Sequence, residues 1–386
     1  MRAPGEVQGS YIAEAIIEHV ASFLSMEVDA VRYRNLHTYE SLSFFYKDSA
    51  GEAPEYTLPS IWISWLCLLA LTKGLKRASP GRVSILSDGT VAVEVGGIEL
   101  GQGLWTKVKQ MAAFALCSIN CNGTERLLDK VRVIQADTLS MIQGGSTGGS
   151  TTSEASCAAV RLCCNILVDR LSPLKESLQK QMGSVTWETL IAQGYMQSVN
   201  LSASSYYVPD FSSLHYINYG AAVEVNLLTG ETTILQVDII YDCGQSLNPA
   251  VDLGQIEGAF VQGIGFFMFE EYLTNSDGLV VSEGTWSYKI PTLDTIPKQF
   301  NVEVMNSGRH KDRVLSSKAS ITSGKFVHCA TRAAIKEARK QLLSWSGIDE
   351  PKSIFQLDVP ATMPVVKELC GLDVVERYLE WIIGRK

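Results

Sequence analysis

Residues 254–267 read GQIEGAFVQGIGFF, and the reading of this stretch decides the fold. Just upstream, Asn248-Pro249 forms a helix opening: Asn caps free N–H groups, and Pro at the first position gives up a donor that needs no partner. The pattern predicts a helix from there to about Tyr272. Gly254, Gly258, Gly263 and Gly265 lie inside it, each costing roughly 1 kcal/mol relative to alanine, so close approach of the backbone to something must offset them. Gln255 and Gln262 are about two turns or roughly 10 Å apart and project from nearly one face. Two readings stay open: a buried helix packed on a neighbour through its small residues, or one wall of a cofactor pocket.

Glycine recurs at other helix starts. A hairpin signal, VSIL and VAVEV around Ser87-Asp88-Gly89-Thr90, ends in GGIELGQG, and Gly101-Gln102-Gly103 feeds an amphipathic helix from about Trp105 to Cys117. A strand at 131–135 leads into QGGSTGGSTTSE, in which Thr151 and Glu154 suggest a capping box. The helix after that loop turns Ala155, Ala158, Ala159, Leu162, Ile166 and Leu167 to its buried side. Free N–H groups at such starts favour anions, although a flexible linker reads equally well for the second loop. Neither loop has the Lys-Ser/Thr ending of a P-loop or the spacing of a dinucleotide fingerprint.

Elsewhere, Ile12, Ala15, Ile16, Val20, Phe23 and Leu24 recur at helical spacing, predicting a helix over 11–26 with these residues facing the core. The run IWISWLCLLAL, 61–71, reads as a buried helix that fits its surroundings poorly. A second hairpin, AAVEVNLL and TTILQVDII joined at Thr229-Gly230-Glu231, delivers the chain to Asn248. A short strand GLVV, a strand FNVEV, a basic helix from Val327 to Leu343, and a tail broken by Pro360 and Pro364 with a short helix near Val374–Ile383 complete it. Strands and helices mix without regular βαβ alternation, which predicts an α+β fold.

The 386 residues suffice for two or three domains, and 46% hydrophobic with 19% charged residues is an ordinary soluble balance. A net charge of -8 without a basic run argues against nucleic acid or an anionic membrane surface as the main partner. The nine cysteines form no Cys-x-x-Cys pair and the five histidines no metal-ligand spacing, so a protein-ligated metal is not expected. The odd cysteine count points to a reducing compartment, and the cytoplasm is the expected location. The start, MRAPGEVQG, lacks a signal-peptide core and reads like the middle of a domain.

Taken together, RAPGEVQ, GGIELGQG, GGSTGGSTTSE and GQSLNPAVDLGQIEGAFVQG resemble the molybdenum hydroxylase family of xanthine dehydrogenases and aldehyde oxidases. The phrases VRVIQADTLSMIQGG and YKIPTLDTIPKQFNVEV are most similar to the plant aldehyde oxidases, within the C-terminal part of a much longer polypeptide. The resemblance implies the fold of the molybdenum-cofactor-binding domain of those enzymes. It implies a molybdenum held by molybdopterin, gripped through glycine loops, backbone N–H groups and glutamine amides, and an aldehyde substrate oxidised to a carboxylic acid. Carried over position by position, it places Arg2 near the molybdenum, Gly101 and Gln102 against the cofactor, Gly148, Gly149 and Ser150 along the pterin, and Gln255 as the pterin-binding glutamine. It further implies a remnant of the first molybdopterin-binding domain over 1–78, the second over 79–346 and a tail over 347–386. Iron–sulfur and FAD domains are expected to lie outside this chain.

One departure is chemical. The family's general base is a glutamate in a Gly-Glu-Pro-Pro motif between a Ser-Lys-Ala phrase and a Val-His-Cys-Ala helix. Here Ser317-Lys318-Ala319 and Val327–Ala330 are present, but SITSGKF stands between them with no carboxylate between Ser320 and Val327. A general base contributes about 10²- to 10⁴-fold, so no catalytic residue is assigned and the chain is expected to be inactive alone. Pairing as a homodimer or with an intact oxidase is the alternative role.

Overall fold

Among the described residues two four-stranded sheets carry the fold, and each contains one parallel pair, which requires a crossover connection. The computed structural model describes residues 5–47, 52–61, 67–70, 78–135, 137, 139, 147–148, 151–208, 215–242, 246–305, 324–346, 355–372 and 382–383. Helices α1 (Glu6–Leu24), α2 (Val28–Arg34), α3 (Tyr39–Tyr46) and the short α4 (Leu58–Ile61) come first, followed by strand β1 (Cys67–Ala70). Then come β2 (Ser79–Ile85), β3 (Val91–Val95), α5 (Leu104–Cys117), α6 (Leu127–Lys130), β4 (Val131–Ile134), α7 (Thr152–Met182), α8 (Trp187–Met196) and β5 (Ser202–Tyr207). The last group is β6 (His215–Val225), β7 (Thr232–Asp242), α9 (Pro249–Ile264), β8 (Gln299–Val304), α10 (Lys325–Ser346) and α11 (Met363–Leu369).

One sheet has the order β4-β3-β2-β5, with α5 and α7 packed on it. Alternation turns Val91, Val93 and Val95 inward against Val108, Met111, Cys163 and Leu167. The β2–β3 turn is fixed locally. Gly89 has φ of 83°, Thr90 N–H donates to Asp88 Oδ1 at 2.9 Å, and the Trp187 indole N–H donates to the Gly89 carbonyl at 2.9 Å.

The other sheet has the order β1-β6-β7-β8, with β6–β7 the predicted hairpin and α9 and α10 packed nearby. Its core contains Ile217, Ile239, Phe260, Phe267, Phe326 and Val366. In each sheet the parallel pair is bridged by a helix: α5 connects β3 to β4, and α9 connects β7 to β8. Mixed strands and helices of this kind are the expected α+β architecture.

Several local expectations are overturned. Helix α1 forms, but Ile12, Ile16, Val20, Phe23 and Leu24 are exposed, whereas Val7, Glu14, Glu18 and Ala21 are buried. The buried set shares one face by its spacing, and cations from α2 and α10 meet it there. Within IWISWLCLLAL the described residues are Ile61, the last of α4, and Cys67–Ala70, which form strand β1 rather than the expected helix because an antiparallel partner, β6, takes up their backbone groups. Thr151 makes no capping bond to α7, so the capping box is absent; Gly148 N–H instead donates to Thr152 Oγ1 at 3.1 Å. On α7, Leu162 and Ile166 face outward, while Cys157, Val160, Cys163, Cys164 and Leu171 join Leu167 in the core.

The helix starting at Asn248 ends earlier than Tyr272, closing in a π turn over Gly265–Phe269. The GLVV stretch makes only the Thr274–Val280 bridge. Pro364 opens α11 at its first turn rather than breaking the chain there. The helix expected near 374–383 lies almost wholly outside the described residues. Among the described residues no helix is long and apolar enough to cross a membrane.

Candidate functional site

The two crossover helices bring their N-terminal ends together. Helix α5 begins after the loop leaving the carboxyl end of β3, and α9 begins after the loop leaving the carboxyl end of β7. Loops at such strand ends are where α/β crossovers place ligands. Asn248 caps α9 as its sequence suggests, its Oδ1 accepting from Val251 N–H at 3.0 Å, with Pro249 at the first position. The same side chain donates from Nδ2 to Gln110 Oε1 on α5 at 3.0 Å.

A fully buried ion pair locks this joint. Lys107 Nζ meets Asp252 Oδ1 at 2.5 Å with side chains 0% and 1% exposed, and Ser246 donates to Asp252 Oδ2 at 2.5 Å. Desolvating both ions is tolerable only because each is paired and hydrogen-bonded. Gly103, the cap position of α5, has φ of 75°, and a Cβ there would stand 2.5 Å from Val251 Cγ1. Glycine is therefore required at this crossing for both backbone and space.

A third helix start joins them. Ile98 N–H donates to Thr147 Oγ1 at 2.8 Å, tying the GGIELGQG loop to the loop before α7, and Ser79 Oγ lies 3.0 Å from Ser156 Oγ near the first turns of that helix. Thr151, at the cap position of α7, is buried, and among the described residues its hydroxyl has no hydrogen-bond partner.

The residues singled out in the sequence fall as follows. Gln255 is half-buried, and its Nε2 donates to the Gly101 carbonyl at 3.2 Å, so these two meet across 154 residues of chain. Gln102 knits its own loop: Leu100 N–H donates to its Oε1 at 2.6 Å, and its Nε2 donates to the Ile98 carbonyl at 2.8 Å. Gly148 stands beside Thr152. Arg2, Gly149 and Ser150 lie outside the described residues, as do Ser320–Ser323 of the segment where the family's base would stand. Gln262 and Glu257 are exposed on α9.

The expected close approach at the α9 glycines is found at some positions and not at others. A Cβ on Gly254, Gly258 or Gly101 would meet nothing within 4 Å. Gly263 is crossed by the backbone of Gly324, while Gly265 packs on the Glu270 carboxylate and Pro291. One side of α9 is therefore sealed, and the other presents bare backbone beside Gln255.

Three further residues escaped the reading of the sequence. Glu99 folds its carboxylate into the start of α5, accepting from the N–H groups of Gly101 at 2.9 Å, Gly103 at 3.0 Å and Trp105 at 3.0 Å. The anion expected at Gly101-Gln102-Gly103 is thus the protein's own side chain. An acid two residues before a glycine at a helix start was the available signal. Lys107 was legible only as a cation inside the apolar stripe Leu104, Val108, Met111, and Thr151 was read as a cap.

A flat, anionic, hydrogen-bonding cofactor fits these residues. Among the described residues nothing stands within 4 Å of a Cβ on Gly254 or Gly258 of α9, Gln255 engages its amide nitrogen and leaves its oxygen for a donor, and the Thr151 hydroxyl without a partner stands at the start of α7, where helices offer free N–H groups. The α5 start does not serve a phosphate while Glu99 holds it.

Comparison with known proteins agrees. The chain is 60% identical to an indole-3-acetaldehyde oxidase of Arabidopsis thaliana, covering 99% of this chain and 31% of that protein. It is 60% identical to the abscisic-aldehyde oxidase of the same organism, covering 98% and 31%. The first of these alignments spans 416 positions, more than the 386 residues here, so the relative carries residues this chain lacks. Among solved structures, CO dehydrogenase from Oligotropha carboxidovorans superposes with a TM-score of 0.73 at 16% identity, over 95% of this chain and 52% of that one. The aldehyde oxidoreductase of Desulfovibrio gigas gives 0.65 at 18% identity, over 96% and 41%. At such identities the likeness is one of fold. The family model described as the molybdopterin cofactor-binding domain matches residues 60–297, which hold all three helix starts, and the chain belongs to that family.

Proposed function

We propose that this chain is the molybdopterin-binding portion of an aldehyde oxidase-like molybdenum hydroxylase, acting in the cytoplasm, and that it does not turn over aldehydes by itself. The single observation that carries the reading is the joint of α5 and α9, with Gln255 on the Gly101 carbonyl beside the bare glycine surface. The chain spans about 31% of the length of its curated relatives, so the activity of the whole protein is part of the proposal.

In this reading Gln255 orients the pterin with its amide, Thr151 and the first N–H groups of α7 hold anionic oxygen, and Lys107–Asp252 fixes the spacing of the two walls. Arg2, Gly149 and Ser150 complete the grip. When bound, the molybdenum centre supplies the electron-accepting chemistry by which an aldehyde becomes a carboxylic acid. The chain supplies no carboxylate from Ser320 to Val327 to take up a proton, and Lys325 stands in that segment instead. The division at 1–78, 79–346 and 347–386 belongs to the same reading.

The test is expression with molybdopterin synthesis available, followed by metal and pterin analysis and an aldehyde assay with an artificial electron acceptor. Bound cofactor that is lost in Gln255→Ala, without turnover, is the expected result. Absence of cofactor overturns the binding role, and turnover at stoichiometric molybdenum overturns the inactivity.

A second reading, a non-catalytic partner of an intact oxidase, is favoured by the outer face of α1, where Ile12, Ile16 and Phe23 are 55%, 57% and 72% exposed. Co-purification with a full-length oxidase, weakened by Ile16→Glu, supports it. A strictly monomeric product removes it.

A further inference from the structure

On the side of α10 facing α1, away from the helix starts, lies a small cavity of about 20 Å³, lined by Tyr11, Glu18, Lys325, His328, Cys329 and Arg332 among others. It has room for a water molecule or an ion of comparable size. Lys325, 1% exposed, lines this cavity, and among the described residues its Nζ has an ion-pair contact but no hydrogen-bond partner. Its charged neighbour is Glu14 Oε1, at 3.4 Å. Glu14 is already committed, because its Oε2 accepts from Arg32 Nε at 3.0 Å and Nη2 at 2.8 Å. Glu18 is likewise taken, paired with Arg332.

The remaining lining adds no further carboxylate. Burial pushes the Cys329 thiol up to about 12 and holds His328 down at about 4, so both are neutral near pH 7. Tyr11 keeps its proton, donating to the Leu357 carbonyl at 2.9 Å. An ammonium with three donors and a single carboxylate contact, at 3.4 Å and shared with Arg32, keeps donors to spare beside a space that can hold an ion.

We infer that this cavity binds a small monovalent anion, of halide or formate size, against the Lys325 ammonium. Burial works against the Lys325 charge, lowering its pKa, and Glu14 offsets this only in part. A bound anion supplies the missing partner. The inference does not rest on cofactor binding, since none of these residues belongs to the joint of α5, α7 and α9.

The full chain, prepared in gluconate, is titrated with chloride at constant ionic strength while thermal unfolding is followed. A second sample is crystallised with bromide, and its anomalous signal is mapped. Saturable stabilisation is expected in the wild type, a loss of at least about tenfold in apparent halide affinity in Lys325→Met, and an anomalous peak beside Lys325 Nζ. An equal halide response in wild type and Lys325→Met overturns the proposal. So does a cavity holding only water in the bromide crystals, a result that needs no variant to fold.

Discussion

The core under β4-β3-β2-β5 and the contact between α1 and α10 bury side chains by opposite means. In the first, Val83, Val93, Val160, Leu167 and Leu171 are all 0% exposed, and α5 and α7 are held by apolar contact. In the second, α1 turns Glu14 and Glu18 inward at 4% and 7% exposure and sends Ile12, Ile16 and Phe23 out. Burial alone would raise the Glu14 pKa, but Lys325 and Arg32 beside it outweigh burial and bring it down. An apolar contact tolerates loss of one member by leaving a void, whereas an ionic contact punishes loss of one member by stranding the other.

Arg32→Met is the sharpest way to break that contrast. It is expected to cost about 3–5 kcal/mol, because Glu14 keeps only the loose Lys325 contact. Replacing Glu14, Arg32 and Lys325 together by Leu, Met and Met should cost less than Arg32→Met alone. In the apolar core, Val93→Ala added to Leu167→Ala should only deepen the loss. Denaturant unfolding of the five proteins decides, and a harmless Arg32→Met would erase the distinction.

The pH profile gives the next largest effect. His328 is held down at about 4 by burial, against an ordinary value near 6.5. Its neutral form belongs to the folded state, so its contribution is fully present above pH 6.5 and lost as pH falls toward 4. That amounts to about 3 kcal/mol. His328→Gln should flatten this part of the profile in urea unfolding measured between pH 4 and 7.

Gly103→Ala should cost about 2–3 kcal/mol from left-handed backbone and contact with Val251. Val251→Ala in the same chain should return part of that. The smallest stability effect, within about 0.5 kcal/mol, is expected for Gln255→Ala, whose bond to Gly101 is solvent-exposed. Its loss should appear in pterin content instead.

The elements that were readable are those specified by neighbours in sequence. The Ser87–Thr90 turn, the Asn248 cap and the period of α5 need only nearby residues. The direction in which α1 faces was not readable, because an amphipathic helix has two sides and the choice was made by Arg32, 18 residues from Glu14, and Arg332, 314 residues from Glu18. At the candidate site, resemblance named Gln255 and Gly101, but their contact spans 154 residues and belongs to the crossover topology. Beyond its place two residues before a glycine, Glu99 carries no signal of its own in the sequence, because its three N–H partners lie in a loop whose path is set by the fold, and Thr151 matches the pattern of a capping box although it makes no capping bond.

The Lys107–Asp252 pair also bears on how the two halves come together during folding, an expectation that amide exchange can test. The two ions are 145 residues apart, on crossover helices of different sheets, so neither is expected to leave water before the other arrives. Each sheet can condense around its own apolar face, and the seam between them is expected to close after that. When the molecule breathes, the same seam is where water re-enters first, and amide hydrogens at the starts of α5 and α9 exchange before those of the strands beneath them.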